Sequence, residues 1–244
     1  MNLLEHCIIP DWPAPANVKG LQTTRQGGGS SAPYEYLNLG DHVGDAPMSV
    51  ARNRMLLNTL LPSEPVWLKQ VHGTVVANAD MASCLPQADA CIARHRAAVC
   101  VVMTADCLPV LLCDKQGTVV GAVHAGWKGL AAGVVEATAR EMQVAPQQLI
   151  AWLGPAISQQ SFEVGDEVRA LFVDANPDAA GAFIPGQRGK CFADIYALAR
   201  LRLNALGITQ IYGGNYCTFS ESERFYSYRR DGVTGRMGTF IWLE

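Results

Sequence analysis

Apolar positions along this 244-residue chain recur at helical spacing in only four segments, and each of these segments predicts a helix. The four segments are 47–61, 129–143, 164–175 and 194–207. The first helix is predicted to carry its apolar face on Val50, Met55, Leu56 and Leu60. The last helix is followed by Gly207, a residue typical of a helix C-terminal cap.

Short apolar runs rich in β-branched and aromatic residues predict strands instead. They occur at 66–73, 88–93, 97–107, 149–158, 208–214, 225–230 and 239–243, with a pair at 108–113 and 118–123 flanking a turn. The opening third is otherwise rich in proline and glycine and is predicted to be mostly loop. Strands outnumber helices and do not alternate with them regularly. The pattern therefore favours an α+β fold, a single mixed-sheet domain over residues 1–244 with helices packed on the sheet layers.

Composition excludes several classes of function. The net charge is −3 at pH 7 and the basic residues are scattered, so nucleic-acid binding is not expected. No stretch approaches the ~18 apolar residues that span a bilayer, and the N-terminus lacks the pattern of a signal peptide. We therefore expect a cytoplasmic protein without a membrane partner. The sequence leaves the oligomeric state open.

The eight cysteines form no CxxC pair, and most lie in apolar surroundings, where a free cysteine behaves as a small buried hydrophobe. Cys107 differs because it lies at a strand start, between Asp106 and Leu108. If residues 114–117 close a tight hairpin, Cys107 faces His124 across it, with Cβ atoms about 4.5–5.5 Å apart. A bulge at Gly117 would slip this register by one residue.

His72 ends the predicted strand 66–73, and His124 ends the second strand of the hairpin. Together with Cys107 they make a three-ligand set that suits Zn²⁺ and leaves a fourth position open. The same two histidines and cysteine can also bind copper. In a metal-free alternative, a cysteine hydrolase or amidase would use Cys107 as nucleophile and His124 as base, with Asp106 or His72 orienting it. In the metal-bound alternative, Asp106 would instead hold an imidazole in one tautomer.

A set of motifs spread over the chain resembles the bacterial laccase-domain family, which is also called polyphenol oxidase and, more recently, purine nucleoside phosphorylase. The motifs are TTRQGGGS (23–30), NLGDHVGD (38–45), QVHG (70–73), TADCLPVL (104–111), AVHAGWKG (122–129), WLGPAI (152–157), FEVGDEV (162–168) and FYSYRRDGVTGRM (225–237). The resemblance runs from about residue 8 to the end. This chain has Lys128 where the family usually has arginine.

The resemblance implies a metal held by His72, Cys107 and His124, which also form the catalytic centre. It implies phosphorolysis of adenosine, inosine and 5′-methylthioadenosine to the free base and ribose 1-phosphate or its methylthio analogue. It further implies a side activity of adenosine deamination. The expected partners are therefore purine nucleosides and phosphate.

Candidate substrate contacts follow from the polar and basic residues near the motifs. Arg25, with Arg229 or Arg230, is expected to offset the charge of phosphate. The ribose or purine is expected to be contacted by Asn38, His42 and Gln70. Trp127 and Phe162 are candidates for stacking on the base, although buried aromatic residues are also typical of a core.

The oxidase alternative conflicts with the histidine count. A multicopper oxidase holds about four coppers, whereas this chain has five histidines and no His-x-His pair. They cannot ligate a trinuclear cluster and a blue-copper site together. Phenol oxidation by a single copper stays open, because copper outranks zinc in affinity for such ligands.

Overall fold

The computed structural model describes residues 3–81 and 85–244, so Cys84 lies outside the described residues. The strands in these ranges are β1 (Cys7–Ile8), β2 (Val18–Thr23), β3 (Val76–Asn78), β4 (Ala90–Ala93), β5 (Cys100–Thr104), β6 (Leu108–Asp114), β7 (Val120–Ala125), β8 (Leu149–Leu153), β9 (Glu163–Gly165), β10 (Phe183–Pro185), β11 (Lys190–Ala193), β12 (Gln210–Gly213) and β13 (Met237–Leu243). The α-helices are α1 (Pro47–Leu57), α2 (Trp127–Ala132), α3 (Val134–Glu141), α4 (Asp166–Ala175), α5 (Ile195–Leu206) and α6 (Tyr228–Asp231). None of the helices in these two ranges has the length and apolar character that crossing a membrane needs.

Two sheets packed face to face form the centre of the fold. One has the strand order β1-β2-β13-β5, and the other has the order β12-β8-β6-β7-β4-β3. Leu111 and Cys113 of β6 lie in the same buried cluster as Cys100 and Val102 of β5, between the sheets. The alternate residues of β6 join a different cluster on the outer face of their sheet. This alternation is the two-residue period of a strand buried on both faces.

Helices cover the outer faces of both sheets. Val134 of α3, Val168 of α4 and Leu198 of α5 pack in the cluster on the six-stranded sheet. On the four-stranded sheet, Leu57 of α1 packs in a cluster with Phe240 of β13. A small third sheet has the order β10-β11-β9. The predicted α+β class, with helices packed on sheet layers, is confirmed.

The helix predicted at 47–61 exists as α1 and ends at Leu57, and its predicted apolar face was right for Val50 but wrong for Met55 and Leu56. Its buried residues are Val50, Asn53 and Leu57. Met55 and Leu56 are 66% and 42% exposed. The polar Asn53 takes the inward position because its side-chain amide donates to the backbone carbonyls of residues 36 and 38, which an apolar residue could not satisfy.

The helix predicted at 129–143 begins earlier and is broken in two. It starts at Trp127, and Gly133 separates α2 from α3 with a φ of 96°. A left-handed backbone at this φ favours glycine and ends the first helix, as Gly207 ends α5 with a φ of 93°. The helices predicted at 164–175 and 194–207 are confirmed as α4 and α5.

Two predicted strands are not strands. The segment 66–73 makes only isolated bridges, from Val66 to Cys100 and from Lys69 to Gln87. At 225–230, the Ser227 side chain accepts from the backbone N–H of Arg230 and caps the short helix α6. Conversely, β2 was missed in the opening third, where it pairs with β13. Its identity as a strand depends on that distant partner, and its own sequence gives little periodic signal.

The hairpin is present, but its predicted register was wrong by two residues. His124 faces Pro109, and Leu108 faces Ala125, so Cys107 lies just before β6 begins. The turn is longer than expected because the Asp114 carboxylate accepts from the backbone N–H groups of Thr118 and Val119. The start of β6 and the end of β7 nevertheless lie side by side, at the same end of these two central strands of the six-stranded sheet. This end of the strands is called the sheet edge below.

Candidate metal centre and flanking cavities

His72, Cys107 and His124 converge at this sheet edge from three separate segments. Their candidate ligand atoms all lie within 4.8 Å of one another. Cys107 Sγ is 3.7 Å from His72 Nε2, and the two imidazole centroids are 4.7 Å apart. His124 is buried at the end of β7, whereas His72 lies on an exposed bend. The cluster is therefore anchored on one side and open to solvent on the other.

Asp89 organises this cluster from behind. Its fully buried carboxylate accepts from His124 Nδ1 at 2.8 Å, which leaves Nε2 free for a ligand. The same carboxylate accepts from three consecutive backbone N–H groups, those of Val71, His72 and Gly73, at 2.7–3.1 Å. These bonds hold His72 in a left-handed conformation with a φ of 60°. One carboxylate thus positions both histidines.

Asp106 does not orient an imidazole, and that sequence-based interpretation was wrong. Its carboxylate accepts from Thr218 Oγ1 at 2.6 Å and from the backbone N–H of Arg229 at 2.7 Å. Asp106 has a φ of 89°, which aspartate tolerates better than most residues. These contacts fasten the residue before Cys107 to the loop that carries α6.

The cluster changes the proton affinities of its own members. Burial alone would raise the pKa of Cys107, but His124 and His72 lower it to about 6. Burial alone would lower the pKa of His124, but Cys107 and Asp89 raise it to about 9. Burial would also raise the pKa of Asp89, and the hydrogen bonds from His124 and Gly73 lower it below its usual value. The thiolate, which is the ligating form of cysteine, is therefore favoured at neutral pH.

Gly126 leaves room for a ligand set at this position. A Cβ atom there would lie 2.9 Å from His72 Cδ2 and 3.0 Å from Cys107 Sγ. Its φ of −60° and ψ of 155° suit any residue, so space and not backbone conformation requires glycine. Three features fit a bound transition metal: the two imidazoles and one thiolate, the Asp89 carboxylate that bonds to His124, and the close approach of the backbone at Gly126.

We expect Gly126→Ala to weaken metal binding by about 10-fold or more, because the methyl group would displace two ligands. Thermal unfolding should change little, since the backbone conformation is allowed for alanine. Titration of the metal-free protein with Zn²⁺, followed by calorimetry, measures the effect. Gly181→Ala is the matched control, because a Cβ there would meet nothing within 4 Å. Equal zinc affinity in the two variants would contradict the expectation.

Two cavities flank the cluster and share Ala105, Cys107 and Tyr228 in their walls. The first, here called the aromatic cavity, has a volume of about 130 Å³ and is otherwise lined by Asp106, Trp127, Ile157, Phe162, Ile195 and Arg229. The second, here called the polar cavity, has a volume of about 360 Å³ and is otherwise lined by His42, Gln70, His72, Met103, Thr104, His124 and Arg236. The polar cavity has a volume typical of small-molecule sites, and the aromatic cavity is smaller.

The predicted substrate residues are distributed unevenly around these cavities. His42 and Gln70 line the polar cavity, although both polar groups of the Gln70 side chain are bonded to the backbone of Met103. Arg229 lines the aromatic cavity, with its guanidinium carbon 5.6 Å from the centroid of the Phe162 ring.

Arg25, Asn38 and Arg230 are in the walls of neither cavity. Arg25 donates to the carbonyls of Glu35 and Ser222. Arg230 donates to the carbonyls of residues 218, 219 and 225 and pairs with Asp231. Asn38 is buried and accepts from the backbone N–H of Arg236. Lys128 likewise lies outside both cavities, with its ammonium 5.5 Å from the centroid of the Trp127 ring.

Sequence reasoning did not select Asp89, and it did not choose Arg236 as a phosphate contact although Arg236 stands near Arg229 and Arg230 in the C-terminal motif. Asp89 is the second residue of the predicted strand 88–93 and has no recognisable spacing to His72 or His124, so only the fold brings it close to both. Arg236 belongs to the TGRM stretch (234–237) that carries part of the family resemblance. The predicted strand 239–243 begins after Met237, so the position of Arg236 directly before β13 became visible only in the structure.

Known proteins are similar to this chain over most of its length. The sequence model of the family described as multi-copper polyphenol oxidoreductase laccase matches residues 19–244. A purine nucleoside phosphorylase of Pseudomonas aeruginosa is 52% identical over 238 residues, which cover 97% of this chain and 98% of that protein. The purine nucleoside phosphorylase YfiH of Escherichia coli is 51% identical over 240 residues, with 97% and 98% covered.

A solved structure is similar over nearly the whole chain. The crystal structure of a Neisseria meningitidis protein has a TM-score of 0.95 to this chain at 51% sequence identity. The match covers 98% of this chain and 99% of that one. The arrangement of sheets and helices described above is therefore shared with a protein whose structure is known from experiment.

Proposed function

This chain belongs to the multi-copper polyphenol oxidoreductase laccase family, and from that premise we propose that it is a metal-dependent purine nucleoside phosphorylase. The names of its relatives from Pseudomonas aeruginosa and Escherichia coli support this reaction class. The observation that carries the proposal is the position of the His72–Cys107–His124 cluster between an aromatic and a polar cavity. A purine base is chemically suited to the aromatic cavity, and phosphate is chemically suited to the polar cavity.

In the proposed reaction, a phosphate oxygen forms a bond to the ribose C1′ while the bond from C1′ to the purine nitrogen breaks. The base leaves with the electron pair of that bond and takes up a proton, giving free base and ribose 1-phosphate. The aromatic cavity suits the base because Trp127 and Phe162 offer ring faces beside Cys107. We propose inosine, adenosine and 5′-methylthioadenosine as substrates, with deamination of adenosine as a side activity.

We propose Zn²⁺ as the metal, held by His72, Cys107 and His124, with copper as the alternative for the same ligands. The ion would supply Lewis-acid polarisation of an oxygen atom. Asp89 would keep the two histidines in place, and His124 would ligate through Nε2, since its Nδ1 bonds to Asp89.

Two other functions use the same residues. A cysteine hydrolase is favoured by the lowered pKa of Cys107, and it would keep its activity when metal is chelated. A copper phenol oxidase would need copper and would consume oxygen. Over residues 3–81 and 85–244, only one His/Cys/Asp/Glu group has metal-binding geometry, which supports a single-metal centre over a multicopper one.

The decisive experiment is chromatography of inosine incubated with metal-loaded protein, with phosphate or with sulfate in its place. We expect hypoxanthine and ribose 1-phosphate only with phosphate. Chelation should remove the activity, and added Zn²⁺ should restore it. Base release that does not depend on phosphate would contradict the proposal in favour of a hydrolase. The absence of any released base from metal-loaded protein, with all three nucleosides, would exclude nucleoside phosphorolysis.

A further inference from the structure

The walls of the polar cavity contain one guanidinium and no carboxylate, and the Cys107 thiolate among them is a candidate metal ligand. The guanidinium is that of Arg236, and the His42 imidazole also lines the cavity, whereas the imidazoles of His72 and His124 are assigned to the metal. None of its lining residues is an aspartate or a glutamate. A half-buried cavity of this kind favours an anion, because a guanidinium is worth more to an oxyanion where water is partly excluded.

We infer that Arg236 binds the attacking phosphate in this cavity, an assignment that rests on the function proposed above. The guanidinium still has donors to offer. Nη1 donates to the carbonyls of Thr234 and Gly235, at 3.0 Å each. Nε and Nη2 donate to no group in the described part of the chain, and no carboxylate there pairs with Arg236. The planar guanidinium can therefore donate from Nε and Nη2 to two oxygens of one phosphate.

The backbone of Arg236 is fixed by buried groups. Its N–H donates to Asn38 Oδ1 at 2.9 Å, and its carbonyl accepts from the N–H of Leu39 at 3.1 Å. Gly40 lies against the side chain so closely that a Cβ there would come within 2.8 Å of Arg236 Cγ. The guanidinium is therefore held in place before phosphate arrives, which lowers the entropic cost of binding. Asn38, predicted to contact substrate, acts here as a positioning residue.

The other arginines considered from the sequence are less suitable. Arg230 is committed to three backbone carbonyls and to Asp231. Arg25 is paired with Glu35 and lies outside both cavities. Arg229 belongs to the aromatic cavity, where its Nη1 donates to the carbonyls of residues 161 and 163. Arg236 combines a place in the polar cavity with free donors.

The position of Arg236 also suits displacement at C1′. Phosphate beside Arg236 and a base beside Trp127 would lie on the two sides of the wall that the cavities share at Cys107 and Tyr228. The ribose then spans the metal cluster, and the attacking oxygen and the leaving nitrogen approach C1′ from different cavities. Displacement at carbon requires such a separation of nucleophile and leaving group.

The test is calorimetric titration of the metal-loaded protein with inorganic phosphate, together with steady-state kinetics. We expect Arg236→Gln to weaken phosphate binding and to raise the KM for phosphate by about 10- to 100-fold, because a charged pair of hydrogen bonds is lost. The KM for inosine should stay within about twofold. Arg236→Lys should recover only part of the affinity, since lysine keeps the charge but not the fork. Arg140→Gln, on the exposed surface of α3, is the matched control.

The outcomes separate this inference from the proposed function. Unchanged phosphate binding in a folded Arg236→Gln variant, with phosphorolysis intact, would overturn the inference and leave the function standing. A wild-type protein that binds no phosphate would overturn the inference as well. Phosphate binding that depends on Arg236 in a protein without phosphorolysis would support the anion site while the proposed function fails. If Arg236→Gln does not fold, Arg236→Lys decides by the same measurements.

Discussion

Cys107→Ala is expected to abolish metal binding and phosphorolysis together. The sulfur of Cys107 is a candidate ligand in the cluster and also lies in the wall that both cavities share. Loss of a group that merely orients a ligand costs about 10- to 100-fold in metal affinity or activity, so loss of a ligand itself should exceed about 100-fold. Metal content after dialysis and the rate of hypoxanthine formation measure the two effects.

The matched control is Cys113→Ala, the same substitution on the same hairpin. Burial raises the pKa of Cys113 to about 12, so its thiol stays protonated and packs as a small apolar group between the sheets. We expect this variant to lose up to about 1–2 kcal/mol of stability and to keep its metal and its activity. Full activity in folded Cys107→Ala, with metal still bound, would show that the chemistry lies elsewhere.

The sequence correctly predicted which residues converge at this site, but it did not predict how they are arranged. Cys107 and His124 do lie at one edge of the sheet. The predicted hairpin register that paired them was nevertheless wrong, because bonds to Asp114 lengthen the turn. The two side chains meet because the last residues of β7 and the residue before β6 share that edge. A strand pair can be recognised from its apolar runs, whereas its register depends on side-chain bonds in the turn.

What sequence reasoning could not find are residues whose roles arise only from long-range contacts. Asp89 is distant along the chain from both histidines that it positions, and Asn38 holds Arg236 from the other end of the sequence. The arginines expected to bind phosphate show the converse case. Arg230 has the right chemistry in the right motif, but local carbonyls satisfy it. Which cation stays free is a property of the folded backbone.

Asp89→Asn is expected to weaken metal binding while leaving all three candidate ligands in the protein. It therefore tests the role of Asp89 in positioning them. The substituted side chain would keep one acceptor oxygen, while its NH₂ group would face either the N–H groups of His124 Nδ1 and the His72 backbone or the backbone N–H groups of Val71 and Gly73. Either orientation leaves buried donors without partners, at a cost of about 1–3 kcal/mol of stability. Metal affinity should fall by about 10- to 100-fold, although all three ligands remain.

Asp114→Asn distinguishes this effect from general destabilisation. Asp114 is also a buried aspartate that accepts from backbone N–H groups, but it lies at the hairpin turn, away from the cluster. We expect the Asp114→Asn variant to have a lower free energy of unfolding and an unchanged zinc affinity. Nitrogen NMR of the imidazoles adds a direct readout, since Asp89→Asn removes the carboxylate acceptor of His124 Nδ1–H and should shift its signal, whereas Asp114→Asn should not. If both variants lose zinc affinity equally, Asp89 acts only through stability. If Asp89→Asn alone loses it, the buried carboxylate sets the geometry in which the two histidines and Cys107 hold the metal.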